Sequence, residues 1–143
     1  MKVETIPLLS DNYGYLLLDP SNKSAVCIDP SESGPIIQRL RALGYRLSQI
    51  WLTHHHWDHV NGVSELVEAF KPEAILASIY DLERRRVPYQ NQVAHEQSTI
   101  GFAGNVLKTH EVPGHTLGAL AYEIDGSLFC GDTLFFGRLR SVV

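Results

Sequence analysis

The segment Thr53-His54-His55-His56-Trp57-Asp58-His59 restricts this chain more than any other. Four of the seven histidines fall within six consecutive positions, and an aspartate precedes the last of them. The apolar run Ile50-Trp51-Leu52-Thr53 leads in, and Val60, Val63, Leu66, Val67 and Phe70 recur behind it at helical spacing. The histidines therefore sit on a polar loop between a short buried strand and an amphipathic helix. In an extended segment residues i and i+2 point to the same side, so His54 and His56 can reach one ion together. Asp58 and His59 stand where the chain turns into the helix and can face a second ion nearby, as two-metal sites require. Metal binding is the expectation.

A structural zinc site closes all its positions, usually with cysteines. The only cysteines, Cys27 and Cys130, lie far from the cluster in apolar, strand-like runs. They read as buried free thiols, which suits a reducing compartment. Nitrogen and oxygen ligands with room for water point instead to catalysis, since three neutral imidazoles leave a metal able to bring its water to a pKa of about 7. The third imidazole must come from elsewhere, and the candidates are His55, His95, His110 and His115. His115 follows a strand in Val112-Pro113-Gly114-His115-Thr116, where a Pro-Gly turn can aim a side chain back at a sheet edge. His110 alternates within that strand and reads as structural or exposed. His95 lies in a polar loop, and His55 should point away from His54 and His56. Asp132, in Gly131-Asp132-Thr133 after the strand end Leu128-Phe129-Cys130, is placed to bridge two metals.

The rest of the pattern supplies the frame. Val3–Leu9, Tyr13–Leu18 and Ala25–Ile28 read as strands joined by short turns. Ile36, Ile37, Leu40 and Leu43 predict a helix ending at Gly44, and the helix after the histidines closes at Pro72. Ala74–Ala77 reads as a strand and Ser78 as the cap of a helix through Arg86. Residues 87–105 are irregular. Strands follow at Asn105–Val112, Ala119–Ile124 and Ser127–Cys130, with Asp125-Gly126 as a hairpin turn. A chain of 143 residues with 44% hydrophobic content can bury a core, and residues 1–143 are expected to form one domain. A net charge of -4 argues against a nucleic-acid binder. No apolar run reaches the roughly 18 residues of a membrane span. Pro7 and Asp11 interrupt what a secretory leader would keep apolar, so the cytoplasm is expected.

Together these residues resemble the metallo-β-lactamase superfamily, with the closer resemblance to glyoxalase II, the hydroxyacylglutathione hydrolases. The motifs that carry it are Asp11-Asn12-Tyr13, Ile28-Asp29-Pro30, the run Thr53 to His59, Pro113-Gly114-His115-Thr116 and Gly131-Asp132-Thr133-Leu134-Phe135. The resemblance implies an α+β sandwich of αββα layering, of which this chain supplies the amino-terminal half and part of the second half. It implies that His54, His56 and His115 hold one metal, that Asp58 and His59 hold another, and that Asp132 bridges them. Asp58 would also orient the metal-bound water. The metal would be zinc, one ion or two, with iron or manganese as alternatives. Asp29 matches a position that supports the site from behind, and it equally suits a turn before Pro30. Arg138 matches a basic residue near the substrate.

The implied substrate is a small thioester, a hydroxyacyl-glutathione such as S-lactoylglutathione. Two departures stand out. Ala119 replaces the second histidine of the family's His-Thr-x-Gly-His motif, a residue that is not usually a ligand. Family members also continue past Val143, through another ligand of the second metal and a glutathione-binding helical region, so that second site is expected to be weak here. Two other readings follow from the same residues: an iron persulfide dioxygenase using His54, His56 and Asp132 or His115, and a non-catalytic metal-binding fragment whose uncovered sheet favours a homodimer.

Overall fold

The computed structural model describes residues 1–10, 12–54, 60–112 and 117–130, together with the backbone of 141–142. The first strands are β1 (Lys2–Leu8), β2 (Asn12–Asp19), β3 (Ser24–Ile28), β4 (Arg46–Trp51), β5 (Ala74–Ala77) and β6 (Gln92–Val93). They form a six-stranded sheet in chain order. The short turns after β1 and β2 give antiparallel pairs, whereas β3 through β6 run parallel. Helices α1 (Gly34–Leu43) and α2 (Val63–Phe70) make the first two parallel crossovers, and α3 (Ile79–Glu83) lies in the third. Parallel strands need such long connections, and those connections carry the helical periodicity.

Strand alternation divides the core into two layers. Leu16, Leu18, Ala25, Cys27, Ile50, Leu52, Ile75 and Ala77 face α1 and α2 and pack with Ile36, Leu40, Val63 and Leu66. Leu17, Val26, Ile28, Trp51 and Leu76 face the other way, onto Leu120, Tyr122, Ile124 and Phe129 of the second sheet. That sheet has the order β12-β11-β10-β9, formed by β9 (Lys108–Glu111), β10 (Leu120–Ile124), β11 (Ser127–Phe129) and β12 (Ser141–Val142). Two sheets thus meet face to face, with helices on the outside of the first. This is the expected α+β sandwich.

A bulge in β4 sets the phase of everything beyond it. Ala25 pairs with Leu47 but Val26 pairs with Gln49, so Ser48 is an extra residue, and its Oγ donates to Ala25 O at 3.1 Å. One extra residue exchanges the two faces. Leu47 and Ile50 consequently lie on the same side although they are three apart in the chain.

Several elements differ from expectation at their ends. The strand expected over Asn105–Val112 is two pieces, β8 (Asn105–Val106) and β9, because Leu107 turns inward and its N–H bonds Ile100 O at 2.8 Å. β8 pairs with β7 (Gly101–Phe102) as a small hairpin, and β6 also falls in the stretch read as irregular. The helix begun by Ser78 ends at Glu83 rather than Arg86, since Arg85 adopts φ 53° and breaks the turn. Helix α1 does end at Gly44, with φ 73°, whereas α2 ends on Lys71 with φ 51°, one residue before Pro72. Among the described residues no helix is long and apolar enough to cross a membrane.

Candidate metal centre

The parallel strands β3, β4 and β5 end at one edge of the first sheet, and the described part of the candidate site lies there. Asp29 leaves β3 with φ 53°, a left-handed conformation that a non-glycine residue adopts at a cost. Its N–H donates to Trp51 O at 3.1 Å, which holds the turn against the end of β4. The carboxylate then reaches the residue before the histidines. Asp29 Oδ1 accepts from the Thr53 N–H at 2.8 Å, and Oδ2 accepts from the Thr53 hydroxyl at 2.7 Å. The turn read from the sequence at Asp29 is present, and its carboxylate bonds the residue that precedes His54.

Thr53 has a single hydroxyl proton, and the Asp29 carboxylate can only accept it. Thr53 Oγ1 also lies 3.0 Å from His54 Nδ1. With its proton committed to Asp29, the oxygen must accept there, so Nδ1 carries the hydrogen. Nε2 is then the nitrogen of His54 left able to coordinate a metal. The ring is 3% exposed, so its direction is set by packing as well. A buried imidazole with its far nitrogen fixed in this way suits a divalent metal, and the donor chemistry fits the group the resemblance implies.

Strand β10 is bonded to the same end of β4. Leu120, the first residue of β10, donates its N–H to Thr53 O at 2.7 Å, and the Tyr122 hydroxyl donates to Leu52 O at 2.6 Å. Burial pushes the Tyr122 phenol well above its ordinary pKa, so it remains a donor. Val112 N–H bonds Ala119 O at 3.0 Å, on either side of the residues 113–116 that lie outside the described part. The end of β4, which leads to His54, and β10 are therefore joined by direct bonds.

The start of the helix behind the histidines is fixed by close packing. Gly62 N–H donates to Pro30 O at 2.7 Å, and a methyl placed on Gly62 would fall 2.6 Å from that oxygen. Only glycine allows this approach. Ser33 Oγ also donates to Glu65 Oε2 at 2.5 Å, tying the loop after Asp29 to α2.

Of the expected ligands, His54 is the one described; His56, Asp58, His59, His115 and Asp132 lie outside the described residues, as do His55, Asp11 and Arg138. Among the described residues no three His, Cys, Asp or Glu side chains come together to hold a metal. The other histidine candidates are engaged elsewhere. His95 is exposed, and its Nδ1 accepts from Gln97 N–H at 3.2 Å. His110 pairs through Nε2 with Glu123 Oε1 at 2.9 Å, on the face of β9 opposite the buried Thr109. Both cysteines are free and buried, and burial raises both thiols above their ordinary range.

The sequence reading assigned no role to Asp81 or Tyr122. A hint of Asp81 was available, since Ser78-x-x-Asp81 has the spacing of a helix-start capping pair. Tyr122 meets Leu52 across 70 residues, which local pattern cannot show.

Comparison with known proteins bears on the whole arrangement. Residues 11–142 match the family model described as the metallo-beta-lactamase superfamily. The chain is 39% identical over 143 residues to a hydroxyacylglutathione hydrolase of Cyanothece sp., covering 96% of this chain and 55% of that protein. It is 42% identical over 144 residues to one of Crocosphaera subtropica, with the same coverages. The chain thus spans about half the length of the curated relatives it matches. Among solved structures it is similar to the BLEG-1 B3 metallo-beta-lactamase, at TM-score 0.81 and 23% identity, covering 97% of this chain and 78% of the other. It is also similar to ETHE1 from Myxococcus xanthus, at TM-score 0.79 and 23% identity, covering 95% and 59%. At such identities the structural likeness speaks for the fold alone.

Proposed function

The chain belongs to the metallo-beta-lactamase superfamily, and from that premise we propose that it carries the metal-binding part of a thioester hydrolase acting on hydroxyacyl-glutathione conjugates. The observation that supports this best is the Asp29–Thr53–His54 chain of hydrogen bonds, which prepares one imidazole nitrogen for a divalent ion. His54, His56 and His115 would hold that ion, zinc in the first instance, with iron or manganese as alternatives. Asp58 and His59 would hold a second, with Asp132 between the two. When bound, such ions supply Lewis acidity and a nucleophile competent near neutral pH.

The residues of the chain do the positioning. Thr53 accepts from His54 Nδ1, which leaves Nε2 as the nitrogen that would coordinate. Asp58 orients the attacking water toward the thioester carbonyl. Arg138 meets a carboxylate of the glutathione moiety, a local attraction that the net charge of -4 does not provide over the whole surface. A thiol leaving group has a pKa of about 8.5 and departs without a strong general acid. The free cysteines fit a reducing, cytoplasmic setting.

The test is thiol release from S-lactoylglutathione by the metal-reconstituted chain, with oxygen uptake followed in parallel on a glutathione persulfide. The proposal expects thiol release and no oxygen uptake. A loaded chain that leaves the thioester intact, or that consumes oxygen on the persulfide, contradicts it.

A further inference from the structure

A cleft opens at the edge where β5 ends, and the chemistry just described makes no use of it. Its volume is about 180 Å³, and it lies between the start of α3 and the start of β10. Ile79 and Tyr80 line it from α3, and Leu117, Ala119 and Leu120 line it from the β10 side. Two of these apolar side chains are largely in solvent, Ile79 at 48% and Leu117 at 68% exposure. Apolar groups exposed around a concavity mark a place where a ligand replaces water.

Both sides of the cleft are fixed before any ligand arrives. Ser78 Oγ accepts from the Asp81 N–H at 3.0 Å and sets the start of α3. Arg84 is committed to Tyr80, with its guanidinium 3.5 Å from the ring centre and Nη1 donating to Tyr80 O at 3.2 Å. On the other side Leu120 N–H bonds Thr53 O at 2.7 Å, so a residue of the lining is joined to the residue before His54. That bond ties the cleft to the candidate metal edge. Charge decides which end of a glutathione thioester suits it. Glu111 supplies a carboxylate to the lining, and no lysine or arginine is among the described residues that line it. The glutathione end carries carboxylates and is disfavoured there, whereas the acyl end is neutral. Size decides which acyl group. An apolar cavity of about 150 Å³ accommodates benzene, and the lactoyl group offers only a methyl.

We propose that this cleft is an acyl subsite that takes the side chain of an α-hydroxyacyl thioester and favours bulky apolar groups of about phenyl size over lactoyl. This rests on the reading of the chain as a thioester hydrolase.

The test measures thiol release from S-mandeloylglutathione and S-lactoylglutathione by the zinc-loaded chain, and reads the ratio of the two kcat/KM values. Ile79→Ser removes apolar lining at a half-exposed position, where folding tolerates the change, and Ala119→Leu fills the cleft from the other side. Glu4→Gln, on β1 at the opposite edge of the first sheet, is the control. An apolar contact in a pocket discriminates by about tenfold or more, so the unmodified chain should favour the mandeloyl thioester by about that factor. Both cleft variants should bring the ratio toward one, and Glu4→Gln should keep it; if Ala119→Leu does not fold, Ile79→Ser carries the comparison. In parallel, mandelamide, a neutral stand-in for the acyl end, is titrated into the metal-free chain while its methyl resonances are followed. Saturable shifts should appear at Ile79, Leu117 and Leu120. A ratio near one in the unmodified chain, a ratio that the cleft variants leave unmoved, or mandelamide that binds elsewhere or not at all overturns the cleft's role and leaves the hydrolase reading standing. A zinc-loaded chain that releases thiol from neither thioester contradicts the hydrolase reading, and the acyl assignment falls with it even where mandelamide binds.

Discussion

Replacing Thr53 by valine removes one oxygen of nearly the same shape and leaves two hydrogen bonds unmade. The Asp29 carboxylate, 2% exposed, loses its hydroxyl donor, and His54 Nδ1 loses its acceptor. An unmet buried polar group costs about 1–3 kcal/mol, so the metal-free protein should lose stability of that order. Metal binding should suffer separately, because the tautomer of His54 is no longer set, and a loss of about 10–100-fold in zinc affinity is expected. Thr53→Ser keeps the hydroxyl and should restore most of that affinity in a chelator competition, whereas equal loss in both variants would mean that the methyl group, not the proton, matters. The histidine cluster was legible as a candidate metal site from spacing alone. The proton arrangement behind them was not, because it depends on Asp29 returning from another strand at a φ that its neighbours in sequence do not announce.

Elements meet through a few specific pairs, and one of them should make stability depend on pH. Arg39 on α1 grips Glu4 on the edge strand β1 with two bonds, Nε to Oε1 at 2.7 Å and Nη2 to Oε2 at 2.8 Å. The Arg39 hydrogen bond is the largest influence on Glu4 and holds its carboxyl below the ordinary range, against a smaller upward push from burial. A depressed carboxyl favours the folded state above its unfolded pKa and loses that contribution as pH falls through the folded value. The pair should thus stabilise at neutral pH and fade below a pH of about 4. It is partly exposed and screened by water, so Glu4→Gln should cost about 1 kcal/mol or less at pH 7 and nothing at low pH. Chemical denaturation of both proteins at two pH values checks this; a cost that persists in acid would contradict it. Periodicity located the strands and α1 well, because alternation and helical spacing are local. It could not show the extra Ser48 in β4 or the inward turn of Leu107, since both are decided by partners on other strands.

At the scale of the whole molecule, the proposed sharing of one ion by His54 and His115 requires the two sheets to hold their spacing. Phe129 of β11 packs edge-on against Tyr15 of β2, with ring centroids 5.3 Å apart, and Trp51 lies 5.7 Å from Tyr122. Phe129→Ala should remove about 3–5 kcal/mol of stability through the cavity it leaves, as read from thermal or denaturant unfolding. The sandwich itself was legible from the order of strand and helix patterns together with the motifs. The meeting of His54 with His115 is what the family likeness implies, and His115 lies outside the described residues; what the structure shows is β10 bonded to the end of β4 through Leu120–Thr53 and Tyr122–Leu52. The most direct test of that meeting is the number of zinc ions retained per chain, at a fixed chelator concentration, by the unmodified protein, His54→Ala, His115→Ala and the double variant. If both imidazoles serve one ion, each single change should lose that ion and the double change should lose no more than either. A His115→Ala protein that keeps its full complement of zinc would contradict the account.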